Sequence, residues 1–365
     1  MIPVYKPYLT PHSLRHAHDA IDSGWLSYLG KYKSEASRML AEVLGVKHVL
    51  LTMNGTAACH LLARALKRFH PEVKKIIVPN NAYVAAWNAF IYDGNYELLP
   101  LEPDTATWNA NLSLLPTHLP PDTAILVCHN LGSIVNVPAL QRRYPKTVIL
   151  EDNCEGFGGA YENLPAGTVA RCSSISFFGN KNITSGEGGA FVTNDKEVYL
   201  YAKKLHEQGQ SETKYVHDEL GYNYRMTNIQ AALLLGQMEL LPKIMEIKKS
   251  LFERYRQRLQ AIPGVELQLS EANTEHANWI FAVKFIHAVS TAETKKFFAE
   301  HDIDTRPMFA PMTAHQHLRA LCKETPIAER LALQCVMLPS YPEITDDEFE
   351  QVVSTVGAYA RWLHP

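Results

Sequence analysis

Residues 47–68 read Lys-His-Val-Leu-Leu-Thr-Met-Asn-Gly-Thr-Ala-Ala-Cys-His-Leu-Leu-Ala-Arg-Ala-Leu-Lys-Arg. The opening run through Thr52 is apolar and β-branched, as a short buried strand requires, and Asn54-Gly55 breaks it. From Thr56 onward apolar residues return every three or four positions, the period of a helix that buries one face. The same alternation recurs down the chain, with strands expected at residues 47–52, 75–79, 96–101, 124–128 and 147–152 and helices at 56–68, 83–93 and 137–143. Strands joined through helices pair in parallel, so the chain reads as α/β with a mainly parallel sheet. Two further runs, 173–178 and 189–193, bring that sheet to seven strands. Ligands of such sheets bind beyond the carboxyl ends of the strands.

Helices are expected next at 197–207 and 227–241, followed by a Lys/Glu/Arg-rich amphipathic stretch to about residue 259. Past Pro263 the order changes to a strand at 279–285, a helix at 291–300 and a last helix at 346–362, opened by Thr345 with acids in its first turn. This divides the chain into a large domain at 1–245 and a smaller α+β domain at 246–365, since a single core stops growing near about 250 residues. Hydrophobic residues make up 46% and charged residues 20%, the balance of a globular protein. With 35 basic and 38 acidic side chains the net charge is −3, so no broad positive field exists to hold a nucleic acid. An anionic ligand has to be met by local groups. No run of about 18 apolar residues offers a membrane span, and residues 1–8 lack the charge and apolar pattern of an export signal. The six cysteines are scattered without a C-x-x-C pair, as expected for reduced thiols of a cytoplasmic chain.

Residues 176–189 read Ser-Phe-Phe-Gly-Asn-Lys-Asn-Ile-Thr-Ser-Gly-Glu-Gly-Gly, placing Lys181 alone among small and polar residues. By itself a solvated loop lysine explains this. A lysine that forms a Schiff base with a flat cofactor also needs such a loop, because glycines allow close backbone approach. Earlier, Thr-Val-Ile-Leu-Glu-Asp at 147–152 delivers carboxylates to the end of an apolar strand. Asp152 there suits either a turn or a pairing with a pyridinium nitrogen, which keeps the ring an electron acceptor. Asn54-Gly55-Thr56 opens a helix, a geometry shared by an ordinary cap and a phosphate site.

The three segments in this order resemble the DegT/DnrJ/StrS family of sugar aminotransferases. The resemblance continues in Asp-Ser-Gly-Trp-Leu-Ser at 22–27, Leu-Gly-Tyr-Asn-Tyr-Arg-Met-Thr-Asn at 220–228 and Leu-Pro-Ser-Tyr-Pro-Glu-Ile-Thr at 338–345. It implies a fold-type-I aminotransferase with pyridoxal 5′-phosphate as cofactor and a homodimer whose active sites are shared between subunits. By the same resemblance Lys181 is the catalytic, cofactor-holding lysine and Asp152 the partner of the ring nitrogen. Gly55, Thr56 and Ser176 hold the phosphate, Asn223 reaches it from the neighbouring subunit, and Tyr83 stacks on the ring. Glu155 stands where many relatives carry glutamine beside the phenolic oxygen.

The implied reaction uses glutamate to aminate a nucleotide-linked keto sugar. Carbon 4 of a 4-keto-6-deoxyhexose is the expected position, because Thr-Ser-Gly-Glu-Gly-Gly at 184–189, Glu155 and Asp-Thr-Arg-Pro-Met-Phe at 304–309 resemble perosamine- and viosamine-forming relatives. Trp25, Tyr28, Lys31 and Arg306 are the candidates for the sugar nucleotide. After Gly30 many relatives read Lys-Tyr-Val-x-x-Phe-Glu, whereas this chain has Lys33, Ala36 and Ser37, which puts the contacts of residues 25–35 in question. Relatives that dehydrate deoxysugars replace the lysine by histidine, and position 181 is lysine. A carbon-3 aminotransferase and an inactive scaffold are the alternatives. His315 and His317 are too few ligands for a metal site, so none is expected.

Overall fold

The computed structural model describes residues 1–92, 94, 96–322 and 325–363. Helices α1 (Pro11–Asp22) and α2 (Lys31–Leu44) come first. The chain then runs β1 (His48–Thr52), α3 (Gly55–Phe69), β2 (Lys75–Pro79), α4 (Val84–Ile91), β3 (Glu97–Leu101), β4 (Thr123–Cys128), α5 (Val137–Arg143) and β5 (Ile149–Asp152). A hairpin, β6 (Ala160–Tyr161) with β7 (Leu164–Pro165), leads to β8 (Ser173–Ser176) and then β9 (Gly189–Thr193).

The large sheet has seven strands in the order β1-β9-β8-β5-β4-β2-β3. Strand β9 runs antiparallel to β1 and β8, and the remaining pairings are parallel. Both faces are covered, and alternate residues serve opposite faces. Ile76 and Val78 join the core under α3, whereas Ile77 joins Ile125, Val127 and Ile149 on the other side. Helix α4 starts one residue after Tyr83; the expected end of this helix at residue 93 lies outside the described residues.

Helix α6 (Lys196–His206) follows, then α7 (Asn228–Met238) and α8 (Leu241–Leu259). The single helix expected at 227–241 is thus capped and interrupted. Thr227 closes a capping box with Gln230, and Pro242 opens α8 in its first turn. The division expected at residue 245 falls inside α8.

Beyond it come β10 (Val265–Leu267), β11 (Thr274–Glu275), β12 (Ala282–Phe285), α9 (Thr291–Ala299), β13 (Arg306–Pro307), α10 (Pro326–Gln334), β14 (Cys335–Met337) and α11 (Asp346–Leu363). Four of these strands form a second sheet, β10-β12-β14-β13, while β11 pairs back onto β6. The strand expected at 279–285 starts only at Ala282. Before it the Phe281 N–H donates to the Ser340 hydroxyl instead of a ladder carbonyl. The first residues of the chain belong with this second unit: Ile2 pairs with Ile303 and packs in the same core as Phe285 and Tyr359.

Candidate active site

A cavity of about 630 Å³ opens where the large sheet's carboxyl ends face the second unit, a size suited to a small-molecule ligand. Gly55, Thr56, Tyr83, Asp152, Glu155, Ser176, Lys181 and Arg306 all line it. All but Arg306 follow or end strands of the large sheet, which is why segments far apart in sequence meet there; Arg306 comes from β13 of the second sheet.

One wall is the start of α3. Asn54 caps the helix by accepting the Ala57 N–H at 2.9 Å, which leaves the N–H groups of Gly55 and Thr56 without helical acceptors. A Cβ on Gly55 would lie 2.8 Å from the Ser176 Cβ, so only glycine lets the Ser176 hydroxyl stand beside the helix start. Two free N–H groups, a helix dipole and a hydroxyl together make an anion cradle.

At the end of β5, the Asp152 Oδ1 accepts from the Ser174 hydroxyl and the Cys154 N–H, both at 3.1 Å, which fixes the carboxylate's direction. Cys59, Asp152 and Cys154 hold ligand-type atoms within 4.8 Å of one another. A hydrogen bond with Cys59, together with burial, pushes the Cys154 thiol well above its ordinary range.

Glu155 is half-buried and accepts the Leu131 N–H at 2.8 Å. Leu131 reaches it from a left-handed conformation, φ 57°, at the turn after β4. Burial pushes the Glu155 carboxyl up to about 7, against the opposing pull of the Lys181 charge and the Leu131 N–H. Beneath it His129 and Glu151 form a buried pair at 2.7 Å, with Tyr161 as a further donor to Glu151. The His129 Nδ1 accepts the Val135 N–H, so its Nε2 carries the proton it gives to Glu151.

Lys181 sits in the loop between β8 and β9. Its carbonyl accepts from the Tyr5 hydroxyl at 2.8 Å, and its Nζ lies 3.7 Å from the centroid of the Trp279 ring. Arg306 enters from β13. Tyr83 and Phe309 meet edge to face at 5.9 Å, one from each unit.

Four expected contributors lie elsewhere. Asn223 does not line the cavity and accepts from the Arg225 Nε at 2.9 Å. The Arg225 guanidinium lies 4.0 Å from the Tyr28 ring centroid, and Lys31 pairs with Asp19 at 2.9 Å. Trp25 is 57% exposed beside exposed Leu26 and Leu29. Ala36, where relatives carry phenylalanine, is buried in the core between α2 and α7. His315 packs edge-on against Trp87, and His317 pairs with Asn88.

Residues 7–357 match the DegT/DnrJ/EryC1/StrS aminotransferase family. The chain belongs to that family. It is 31% identical over 364 residues to the GDP-perosamine synthase of Escherichia coli O157:H7, covering 98% of each chain. A GDP-perosamine synthase of Vibrio cholerae is also 31% identical, with 98% of this chain and 99% of the relative covered. Among solved structures, the aminotransferase TlmJ from Streptoalloteichus hindustanus superposes with a TM-score of 0.90 over all of both chains at 23% identity, which shows the fold. This aminotransferase has the fold-type-I architecture, works on sugars and uses pyridoxal 5′-phosphate. The cavity fits that cofactor: an anion cradle at one wall, a fixed carboxylate at another and a lysine between them.

Sequence reading passed over Trp279, His129, Leu131 and Tyr5. A histidine or tyrosine in an apolar run reads as core, and a left-handed leucine carries no sequence mark. The Trp at the head of an expected strand was visible, but its ring's position under a lysine 98 residues earlier was not.

Proposed function

We propose that this enzyme transfers an amino group from glutamate to carbon 4 of a nucleotide-linked 4-keto-6-deoxyhexose, giving a 4-amino-4,6-dideoxy sugar of the perosamine or viosamine kind. The observation that carries this reading is Lys181 in a cavity with Asp152, in a chain 31% identical along its length to a GDP-perosamine synthase. Glu155, rather than glutamine, at the cavity wall supports it.

The cofactor, when bound, supplies an electron sink for the carbon whose C–H bond is broken. Everything else falls to the chain. Lys181 would hold the cofactor covalently and, when released, would carry a proton on Nζ to and from the donor's reacting carbon. Asp152 keeps the ring nitrogen protonated, and its two hydrogen bonds hold the carboxylate in one orientation. Gly55, Thr56 and Ser176 bind the phosphate through N–H and O–H donors. Tyr83 and Glu155, both at the cavity wall, would cover the ring face and meet the phenolic oxygen respectively. Arg306, before the rigid Pro307, offers the sugar nucleotide's diphosphate a planar pair of donors.

Asn223, Trp25, Tyr28 and Lys31 act from a second copy of the chain. Their exposed, partly apolar neighbourhood supports a homodimer in which each subunit completes the other's site. The six cysteines are free, in keeping with a cytoplasmic enzyme, and no helix among the described residues is long and apolar enough to cross a membrane.

The test offers glutamate with 4-keto and 3-keto sugars linked to GDP, UDP or dTDP, with products read by mass. We expect amination of a 4-keto compound, and none by a folded Lys181→Ala variant. Amination of the 3-keto compound alone would overturn the carbon-4 reading.

A further inference from the structure

The Trp279 side chain meets the lysine loop twice. Its ring lies under the Lys181 Nζ, 3.7 Å from centroid to nitrogen, and its Nε1 donates to the Asn180 carbonyl at 2.7 Å. The Trp279 backbone is fixed in turn, because its carbonyl accepts from the fully buried Lys248 Nζ at 2.7 Å. Lys248 also donates to the Ser340 carbonyl, so one side-chain nitrogen ties α8 to both segments that flank the small sheet's central strands. On the other side of Lys181, Asn182 donates to the Ala277 carbonyl at 2.7 Å. The loop is therefore gripped at 180 and 182 by residues 277–279, and Trp279, only 4% exposed, has no room to turn away.

An indole face attracts an ammonium group, and does so more strongly as water is excluded. A free lysine has four torsions to order before its amine reaches a fixed point, and ordering them costs entropy. A lysine that is released and re-engaged in each turnover gains from an arrangement that keeps its amine at the cavity wall.

We infer that Trp279 is a positioning residue whose indole face is the berth of the Lys181 amine whenever that amine is not covalently engaged. This rests on Lys181 being the cofactor's lysine. Capture of pyridoxal 5′-phosphate requires the ammonium to lose a proton to solvent, its nitrogen to bond to the aldehyde carbon, and the aldehyde oxygen to leave as water. The berth steadies the protonated form, so capture waits on the amine's release from the indole face.

The experiment mixes the cofactor-free full chain with pyridoxal 5′-phosphate and follows covalent capture by visible absorbance. Pyridoxamine 5′-phosphate, which has no aldehyde, is titrated in parallel. Trp279→Leu is expected to speed capture about tenfold at neutral pH, because losing a partly desolvated cation–π contact leaves that much more of the amine neutral and released. Trp279→Phe, which keeps a π face, should stay within about threefold, and pyridoxamine phosphate affinity should stay within about twofold in both. Should the leucine variant fail to fold, mono-, di- and trifluorotryptophan in the wild-type chain weaken the ring's negative face without changing its shape, and capture should speed up at each step. Capture by Trp279→Leu at or below the wild-type rate, an equal change in pyridoxamine phosphate affinity, or no trend with fluorination would each overturn the inference. A wild-type chain that captures nothing would instead refute the reading of Lys181, and the berth with it.

Discussion

Replacing Glu155 by glutamine should make the protein's stability less sensitive to pH, and the size of the effect follows from the site. Burial raises the carboxyl from 4.5 to about 7 in the folded chain. Between those values the folded state binds a proton that the unfolded state releases, so stability falls as pH rises through this window and the loss is complete above about 7. Each tenfold change in proton affinity corresponds to about 1.4 kcal/mol, which gives an upper bound near 3 kcal/mol. The carboxyl is only half-buried and faces an open cavity, so about 2 kcal/mol is the better expectation. Glutamine does not titrate, and its oxygen still accepts the Leu131 N–H. Urea unfolding of the cofactor-free wild type and Glu155→Gln, repeated from about pH 4 to pH 8, reads the difference directly, because every other titrating group cancels between them. The variant should match the wild type at the acid end and exceed it by about 2 kcal/mol at the alkaline end. A difference that stays constant with pH would show that Glu155 is not held in its neutral form by burial.

Gly189→Ala places a Cβ 2.6 Å from the carbonyl of Asn54 and 2.7 Å from the Gly55 nitrogen, both backbone atoms that cannot step aside. A loss of about 2–3 kcal/mol in urea unfolding and weaker pyridoxamine phosphate binding are expected, and an alanine variant with unchanged stability and affinity would contradict the packing. Asn223→Ala and Lys181→Ala subunits are each expected to be inactive alone. Unfolded and refolded together in equal amounts, they should recover about one quarter of wild-type turnover, since half the dimers are mixed and each carries one intact site. No recovery in demonstrably mixed dimers would refute shared sites.

The sheet was legible because its strands are short β-branched runs between helices, a pattern that survives without any tertiary information. Lys181 and Asp152 were legible for a related reason: both stand where a strand ends or a glycine-rich loop begins, and such ends gather at one edge of a parallel sheet. Side-chain direction was not legible. Tyr83 heads its helix rather than lying within it, and its ring faces Phe309 from the second unit. The strand expected from Trp279 lost its first residues to the Ser340 hydroxyl, a partner some 60 positions away. The role proposed for Asn223 would need a surface from a second copy, so neither periodicity nor a single copy's geometry brings it to the cavity.

The Tyr5 hydroxyl bonds to the Lys181 carbonyl across 176 positions of sequence, while Ile2, three residues before it, is stitched to Ile303. The chain's opening segment therefore works as a tether between the reactive loop and the smaller unit. A substitution at Ile2 or Tyr5 therefore touches the same few hydrogen bonds that hold the backbone of the Lys181 loop. A change that looks peripheral by position is, by connectivity, next door to the chemistry.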